Sequence, residues 1–373
     1  MKFTVSSVSL STKLSAVGRV INSKNALPIL GDIVFEIKEG VLSLTASDSE
    51  IWMQTGLDLT ESGDEGAFAV GAKSITDAVK GVPEQPLSFD VDMENKTVKI
   101  SYSNGHFSLP VEDVSDFPRP VSIQGDIHKE IDRKLFLECV SRAQFGCDEN
   151  ELRPVMNGEY FDFTPDYLAI VASDGHKLIR NRILNHKSET ISAFIMPKKA
   201  VALFKGTVGK DTDPVQLFFD QRNAQLTYGV NILTFRLIEG RYPNYNSVIP
   251  ENNPCKARVT RVELLGALKR VQAFANGSSN LVRFSFEESK IQLDAEDYDF
   301  SKTATETVSC EYEGQPMSIG FKASTVIEIL SNLTCQEVLI QLKDPAHAGI
   351  IVPAEQEENV DVVMLTMPML LND

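Results

Sequence analysis

The string Ser173-Asp174-Gly175-His176-Lys177 names the side-chain types of a nucleophile, a base and an orienting carboxylate. A working relay assembles those groups from separate places in a fold. Adjacent residues point in different directions, and Asp-Gly after the apolar run Leu168 to Ala172 reads better as a tight turn between strands. The stretch Gly206-Thr207-Val208-Gly209-Lys210-Asp211-Thr212 approaches a phosphate-cradling loop. It has two residues between its glycines and an Asp before the Thr, so the required geometry fails. Histidines at positions 106, 128, 176, 186 and 347 are scattered without ligand spacing. Cys139, Cys147, Cys255, Cys310 and Cys335 form no C-x-x-C pair and are expected to be reduced structural thiols. The acidic pair Glu296-Asp297 sits in a polar, turn-like stretch and reads as solvated. These residues predict no metal, no cofactor and no active site.

Bulk composition is that of a globular protein: 373 residues, 42% hydrophobic and 24% charged, enough apolar material for two or three domains. No apolar run approaches the roughly 18 residues that suggest a membrane span. Met1 to Ser7 lacks an apolar signal-peptide centre, so a cytoplasmic protein without membrane association is expected. The formal net charge of −16 argues, taken alone, against nucleic acid, because phosphate binding needs clustered cations.

The elements that would hold these residues repeat three times. Val5 followed by Leu10, Leu14 and Val17 is a strand residue running into one face of a helix. The figure returns as Ile131, Phe136, Val140 and Ala143, and again as Val259, Leu264, Leu268 and Val271. A second figure keeps step with it: Phe68-Ala69-Val70, Phe194-Ile195-Met196 and Ile319-Gly320-Phe321 each precede a short helical stretch. Alternating strands follow at Leu87 to Val91, Val215 to Phe219 and Val338 to Leu342. Two copies close on an aromatic-proline corner, Asp116-Phe117-Pro118 and Arg241-Tyr242-Pro243. The predicted fold class is α+β, three modules at residues 1–124, 125–250 and 251–373, each an antiparallel sheet with helices on one face.

Charge is sorted by element. Helices are predicted over Ser9 to Val20, Gly71 to Gly81, Asp132 to Phe145, Pro197 to Lys210, Thr260 to Phe274 and Gly320 to Leu333. Together they carry +10, which leaves −26 on the rest of the chain. Helices gathered on one side would make that side basic and able to follow a phosphate backbone without reading bases. Solvated helix faces of an acidic protein would give the same split.

Met1-Lys2-Phe3-Thr4-Val5, Leu27-Pro28-Ile29-Leu30, Asn157-Gly158, Ser173 to Leu178, Gly240-Arg241-Tyr242-Pro243-Asn244-Tyr245 and Met367-Pro368-Met369 occur in that order along essentially the whole chain. In these motifs the sequence resembles the bacterial replicative sliding clamp, the beta subunit of DNA polymerase III. The resemblance implies three DNA-clamp domains with antiparallel sheets outside and helices inside. It implies a head-to-tail dimeric ring around double-stranded DNA, a processivity factor without enzymatic activity. Implied partners are a second copy, duplex DNA held topologically, the replicative polymerase catalytic subunit, the clamp loader, and other polymerases and repair proteins carrying a Gln/Leu/aromatic peptide.

By the same resemblance, the partner-peptide groove falls on Met156, Ser173, Gly175, His176, Lys177, Leu178, Pro243, Val248, Ala348, Leu365, Met367, Pro368 and Met369. Methionine suits such a site because it moulds itself to several ligands; composition alone would put Met367 and Met369 in an ordinary core. DNA-facing positions are Lys24, Arg142, Lys198, Lys199 and Lys205. The dimer interface sets Phe107 and Leu109 against Ala273 and Phe274, with Lys73 facing Glu296, Asp297 and Asp299. Departures from the family pattern are Lys177 in place of an Arg, Ser247 beside the groove, Pro154 and Val155 before Asn157-Gly158, and the tail Leu370-Leu371-Asn372-Asp373. Two other readings stand beside this one on the residues: a hydrolase using Asp174 and His176, and a protein-only scaffold suggested by the net charge.

Overall fold

The computed structural model describes residues 1–25, 27–61, 64–123, 127–209 and 213–371. The first module runs β1 (Lys2–Ser6), α1 (Ser7–Val17), β2 (Asp32–Lys38), β3 (Val41–Ser47), β4 (Ile51–Asp58), β5 (Gly66–Gly71), α2 (Ala72–Lys80), β6 (Pro86–Asp92), β7 (Thr97–Tyr102) and β8 (Gly105–Glu112). The second runs β9 (Ile127–Ile131), α3 (Arg133–Ala143), β10 (Gly158–Phe163), β11 (Leu168–Ser173), β12 (Lys177–Ile183), β13 (Ser192–Pro197), α4 (Lys198–Thr207), β14 (Val215–Phe219), β15 (Asn223–Tyr228) and β16 (Asn231–Arg236). The third runs β17 (Cys255–Thr260), α5 (Arg261–Gln272), β18 (Leu281–Glu287), β19 (Lys290–Asp297), β20 (Lys302–Ser309), a short β21 (Glu311–Glu313), β22 (Met317–Lys322), α6 (Ala323–Ser331), β23 (Glu337–Leu342), β24 (Gly349–Pro353) and β25 (Val360–Thr366). Apart from β21, the element order is the same three times.

The helices form where the apolar spacing places them. Leu10, Leu14 and Val17 of α1 are fully buried, and the Ser6 hydroxyl caps the helix by accepting from the Ser9 N–H. Phe136, Val140 and Ala143 bury the matching face of α3, and Leu264, Leu268 and Val271 that of α5. Some ends differ from expectation. The first helix tightens into a 3-10 turn at Gly18–Val20, and the third does so at Gln144–Gly146. The sixth begins at Ala323 because Gly320 to Lys322 belong to β22, whose alternation continues to the helix. The fourth ends at Thr207; the expected stop at Lys210 lies outside the described residues, as do Asp211, Thr212, the boundary at 124/125 and Asn372-Asp373. The six helices as formed still carry +8.

Sheet pairing divides the chain differently from the repeat. One compact unit comprises residues 1–136 with 199–237, and the other 137–198 with 238–373. The first holds a twelve-stranded sheet, β1-β6-β7-β8-β5-β2-β3-β4-β16-β15-β14-β9. The second holds a nine-stranded sheet, β13-β10-β11-β12-β25-β24-β23-β17-β21, and a four-stranded one, β20-β19-β18-β22. The central module therefore gives half its strands to each unit. Within each unit an antiparallel ladder crosses the module junction: β4 with β16 in the first, β12 with β25 in the second.

Candidate peptide groove and charged faces

The Ser173–Lys177 string is consumed by a turn. The Asp174 carboxylate accepts the backbone N–H groups of His176 and Lys177, both at 2.8 Å. The Ser173 hydroxyl donates to the Lys177 carbonyl at 2.8 Å and accepts from the Gly175 N–H. Gly175 takes φ +87°, which a side chain would strain. The hydroxyl and the carboxylate thus both serve backbone, and the His176 residue is exposed. Among the described residues no three His, Cys, Asp or Glu side chains are placed to hold a metal ion. Burial pushes the Cys139 thiol up to about 12, an inert structural group.

This turn leads directly into an apolar seat. Leu178, the second residue of β12, pairs with Leu365 of β25 and lies in one buried cluster with Ala169, Val171, Ile195, Tyr242, Tyr245 and Ala348. Tyr242 stacks on Tyr160 with ring centroids 4.7 Å apart, and the Tyr245 hydroxyl donates to Asp162 at 2.7 Å. Burial is the main cause that raises the Tyr242 and Tyr245 hydroxyls above the ordinary tyrosine range; for Tyr245, Asp162 adds to it. Met156 is buried at the end of a 3-10 turn, Pro154–Met156. Around the seat stand exposed apolar groups: Val248 at 54%, Met367 at 43%, and Pro243.

The tail is pinned on both sides of this rim. Met367 N–H donates to the His176 carbonyl and Met369 N–H to the Gly320 carbonyl, each at 2.8 Å. Gly320 is required there, because a Cβ would come within 2.6 Å of the Met369 carbonyl oxygen. The structure therefore gathers the loop Ser173–Lys177, the floor Leu178, Ala348 and Leu365, and the tail Met367–Met369. Pattern reading missed Tyr160, Ile195 and Tyr245, which build the wall, and Glu328, whose carboxylate reaches Lys177 at 2.7 Å. Only Tyr245, three residues after Tyr242, had a local signal in the sequence.

The expected DNA-facing cations separate into two groups. Lys24 and Lys205 are exposed, and Lys198 is half-exposed beside Glu149 at 2.9 Å. Arg142 is corrected: only 7% exposed, it bonds to Asn181 and lies 3.7 Å from Glu357, because its position follows the buried face of α3. Lys199 is also engaged, by the Val20 carbonyl, Asn22 and Asp48.

Of the expected interface residues, Lys73, Ala273 and Phe274 are exposed, Phe107 and Leu109 are half-buried on β8, and Glu296 and Asp299 are exposed around the β19–β20 turn. Asp297 is corrected: it is 5% exposed and turned inward to accept the Asp299 N–H.

Three like α+β modules joined by continuous sheets, with an apolar cluster that meets an exposed rim and no assembled catalytic group among the described residues, define a clamp-type scaffold. Family descriptions match in series: the DNA polymerase III beta subunit N-terminal domain at residues 1–121, its central domain at 130–244 and its C-terminal domain at 246–369. The beta sliding clamp of Proteus mirabilis is 28% identical over 373 residues, covering 100% of both chains. That of Escherichia coli K12 is 28% identical over 365 residues, covering 98% of this chain and 99% of its own. Among solved structures, the DNA polymerase III subunit beta of Pseudomonas aeruginosa superposes with TM-score 0.93 at 23% identity over 100% of both chains. The sliding clamp of Bartonella birtlesii bound to griselimycin does so with TM-score 0.92 at 24% identity, again over 100% of both. The chain belongs to the bacterial DNA polymerase III beta subunit family, the beta sliding clamps; that family is a replication scaffold and not an enzyme.

Proposed function

We propose that two copies of this chain close head to tail into a ring around duplex DNA and tether the replicative polymerase, the clamp loader and other DNA-handling proteins through the seat around Leu178. One observation carries the reading. At each internal junction the fourth strand of one module pairs with the last strand of the next, β4 with β16 and β12 with β25. The two strands left over are β20, at the edge of its sheet, and β8, whose Gly105–Pro110 stretch pairs only with β7. They are complementary by position, so a second copy supplies what each lacks, and the heterologous contact closes into a ring. Burial supports this: Leu233 and Phe235 of β16 are fully buried, while Phe107 and Leu109, their counterparts on β8, are only half covered. Lys73 holds in α2 the place that Lys199 holds in α4. Lys199 reaches an acid in the β3–β4 turn, and the β19–β20 turn offers Glu296 and Asp299 to Lys73.

A closed ring needs no base contacts. Exposed Lys24 and Lys205, with half-exposed Lys198, provide weak, sequence-independent phosphate contacts that permit sliding. Tethering raises the effective concentration of polymerase at the primer end. Griselimycin, bound by relatives, is expected to bind here as well. Sedimentation should give a dimer of twice 41.2 kDa, and protein loaded on circular DNA should be released when the circle is cut. Retention that survives linearisation overturns the ring.

A further inference from the structure

We infer that Glu328 is a positioning residue of the peptide groove: through Lys177 it sets the charge at the groove rim and thereby which partner peptides are admitted. The inference rests on the groove reading above and goes beyond it. Lys177 opens β12 and pairs with Thr366 of β25, next to Met367 of the rim. Its side chain is 12% exposed. The ammonium lies 2.7 Å from the Glu328 carboxylate and 3.8 Å from that of Asp174, and 5.3 Å above the Phe145 ring.

Glu328 sits on α6 of the third module, so this pair ties the second module's turn to the third module's helix. The same turn holds the tail through Met367 N–H on the His176 carbonyl, and its next residue is the floor residue Leu178. Any displacement of Lys177 therefore moves both the rim at Met367 and the floor at Leu178.

The charge consequence is specific. One ammonium faces two carboxylates, and a lysine, as a mobile point charge, follows the nearer. At this turn Lys177 is held by Glu328 and Asp174, and Arg153 by Asp148, so an acidic peptide flank meets carboxylates here rather than a free ammonium. The Glu328 side chain is 48% exposed, so its bridge adds little to stability. The pair acts on binding rather than on folding.

The test uses the full-length protein and two labelled peptides sharing one Gln/Leu/aromatic core, flanked by Ser-Ser or by Asp-Asp. Wild type should bind both and prefer the Ser-flanked peptide. Glu328→Gln should tighten the Asp-flanked peptide about 3- to 10-fold at low salt and shift the Ser-flanked one under about 2-fold, an effect that fades at high salt. In a Lys177→Gln background the same change should move the Asp-flanked peptide under about 2-fold, because the cation that Glu328 controls is gone. An equal gain in both backgrounds, or an equal change for both peptides, overturns the inference while leaving the groove standing. Binding of neither peptide by wild type removes the groove and the inference together. An unchanged melting temperature for Glu328→Gln identifies a binding effect.

Discussion

The chain joins its modules twice, and the two joins solve one problem differently. In the first unit β4 meets β16 over five residue pairs; in the second, β12 meets β25 over seven. The second residue of the joining strand is Trp52 in one and Leu178 in the other, and each is paired to the serine that ends the preceding strand, Ser47 or Ser173. Trp52 is 4% exposed, packs with Phe117, and donates its indole N–H to the Pro118 carbonyl at 2.8 Å. Leu178 is smaller and has no polar handle; its surroundings are completed by Tyr242 and Tyr245, and the rim above stays exposed. The ion pairs are reversed as well. In the first unit a helix lysine, Lys199, reaches a turn acid, Asp48; in the second a turn lysine, Lys177, reaches a helix acid, Glu328. One backbone arrangement is thus sealed by a large aromatic residue, and the other, built on a leucine, keeps an exposed rim.

The sharpest way to break this contrast is to remove the seal. Trp52→Ala should cost about 3–5 kcal/mol in chemical denaturation, through lost burial and the cavity left behind. A loss under about 1 kcal/mol would mean that Trp52 does not close its join. Next, Leu178→Trp should give the second join the character of the first. Peptide affinity, followed by fluorescence polarisation, should fall more than about tenfold, or about 1.4 kcal/mol, while the dimer persists. Wild-type affinity in that variant would show that the size of residue 178 does not keep the seat open.

The ion pairs should differ in proportion to their burial. The Asp48 side chain is 7% exposed and that of Glu328 is 48%. Asp48→Asn should therefore cost about 1–3 kcal/mol of stability, and Glu328→Gln under about 0.5 kcal/mol. Equal costs would erase the distinction. The smallest effect concerns pH. Tyr242 and Tyr245 at the second join, and Tyr228 beside Met53 at the first, are all raised above the ordinary value of 10.0, chiefly by burial. The fold keeps them protonated after the unfolded chain has begun to ionise. Their contribution is complete below pH 10 and declines above it. Urea titrations at pH 9 and pH 11 should show that decline, and Tyr245→Phe should make it shallower.

Local pattern carried much of this molecule. The triple period, the starts of five helices to within two residues, and the cation excess on helices were all readable, because each follows from side-chain periodicity over a few turns. The turn at Asp174-Gly175 was readable for the same reason. The sixth helix began three residues late, because a strand pattern and a helix pattern both fit Gly320 to Lys322. Arg142 looked like a surface charge, because nothing near it in sequence announces that it will donate to Asn181. Asp297 looked like one because the acid-rich stretch reads as solvated, although the N–H it accepts, that of Asp299, is two residues away.

By itself the sequence determined the modules: three copies of one strand-and-helix order, the faces each copy buries, and the absence of spacing for metal or nucleophile chemistry. Only the tertiary structure decided which edges meet. The ladders β4·β16 and β12·β25 join residues about 180 positions apart, and each module offers similar alternating edges, so pairing depends on three-dimensional approach. The same is true of the seat around Leu178 and of the Lys177–Glu328 bridge. Both exist because two modules that share a pattern, but not a neighbourhood in sequence, are brought together by one continuous sheet.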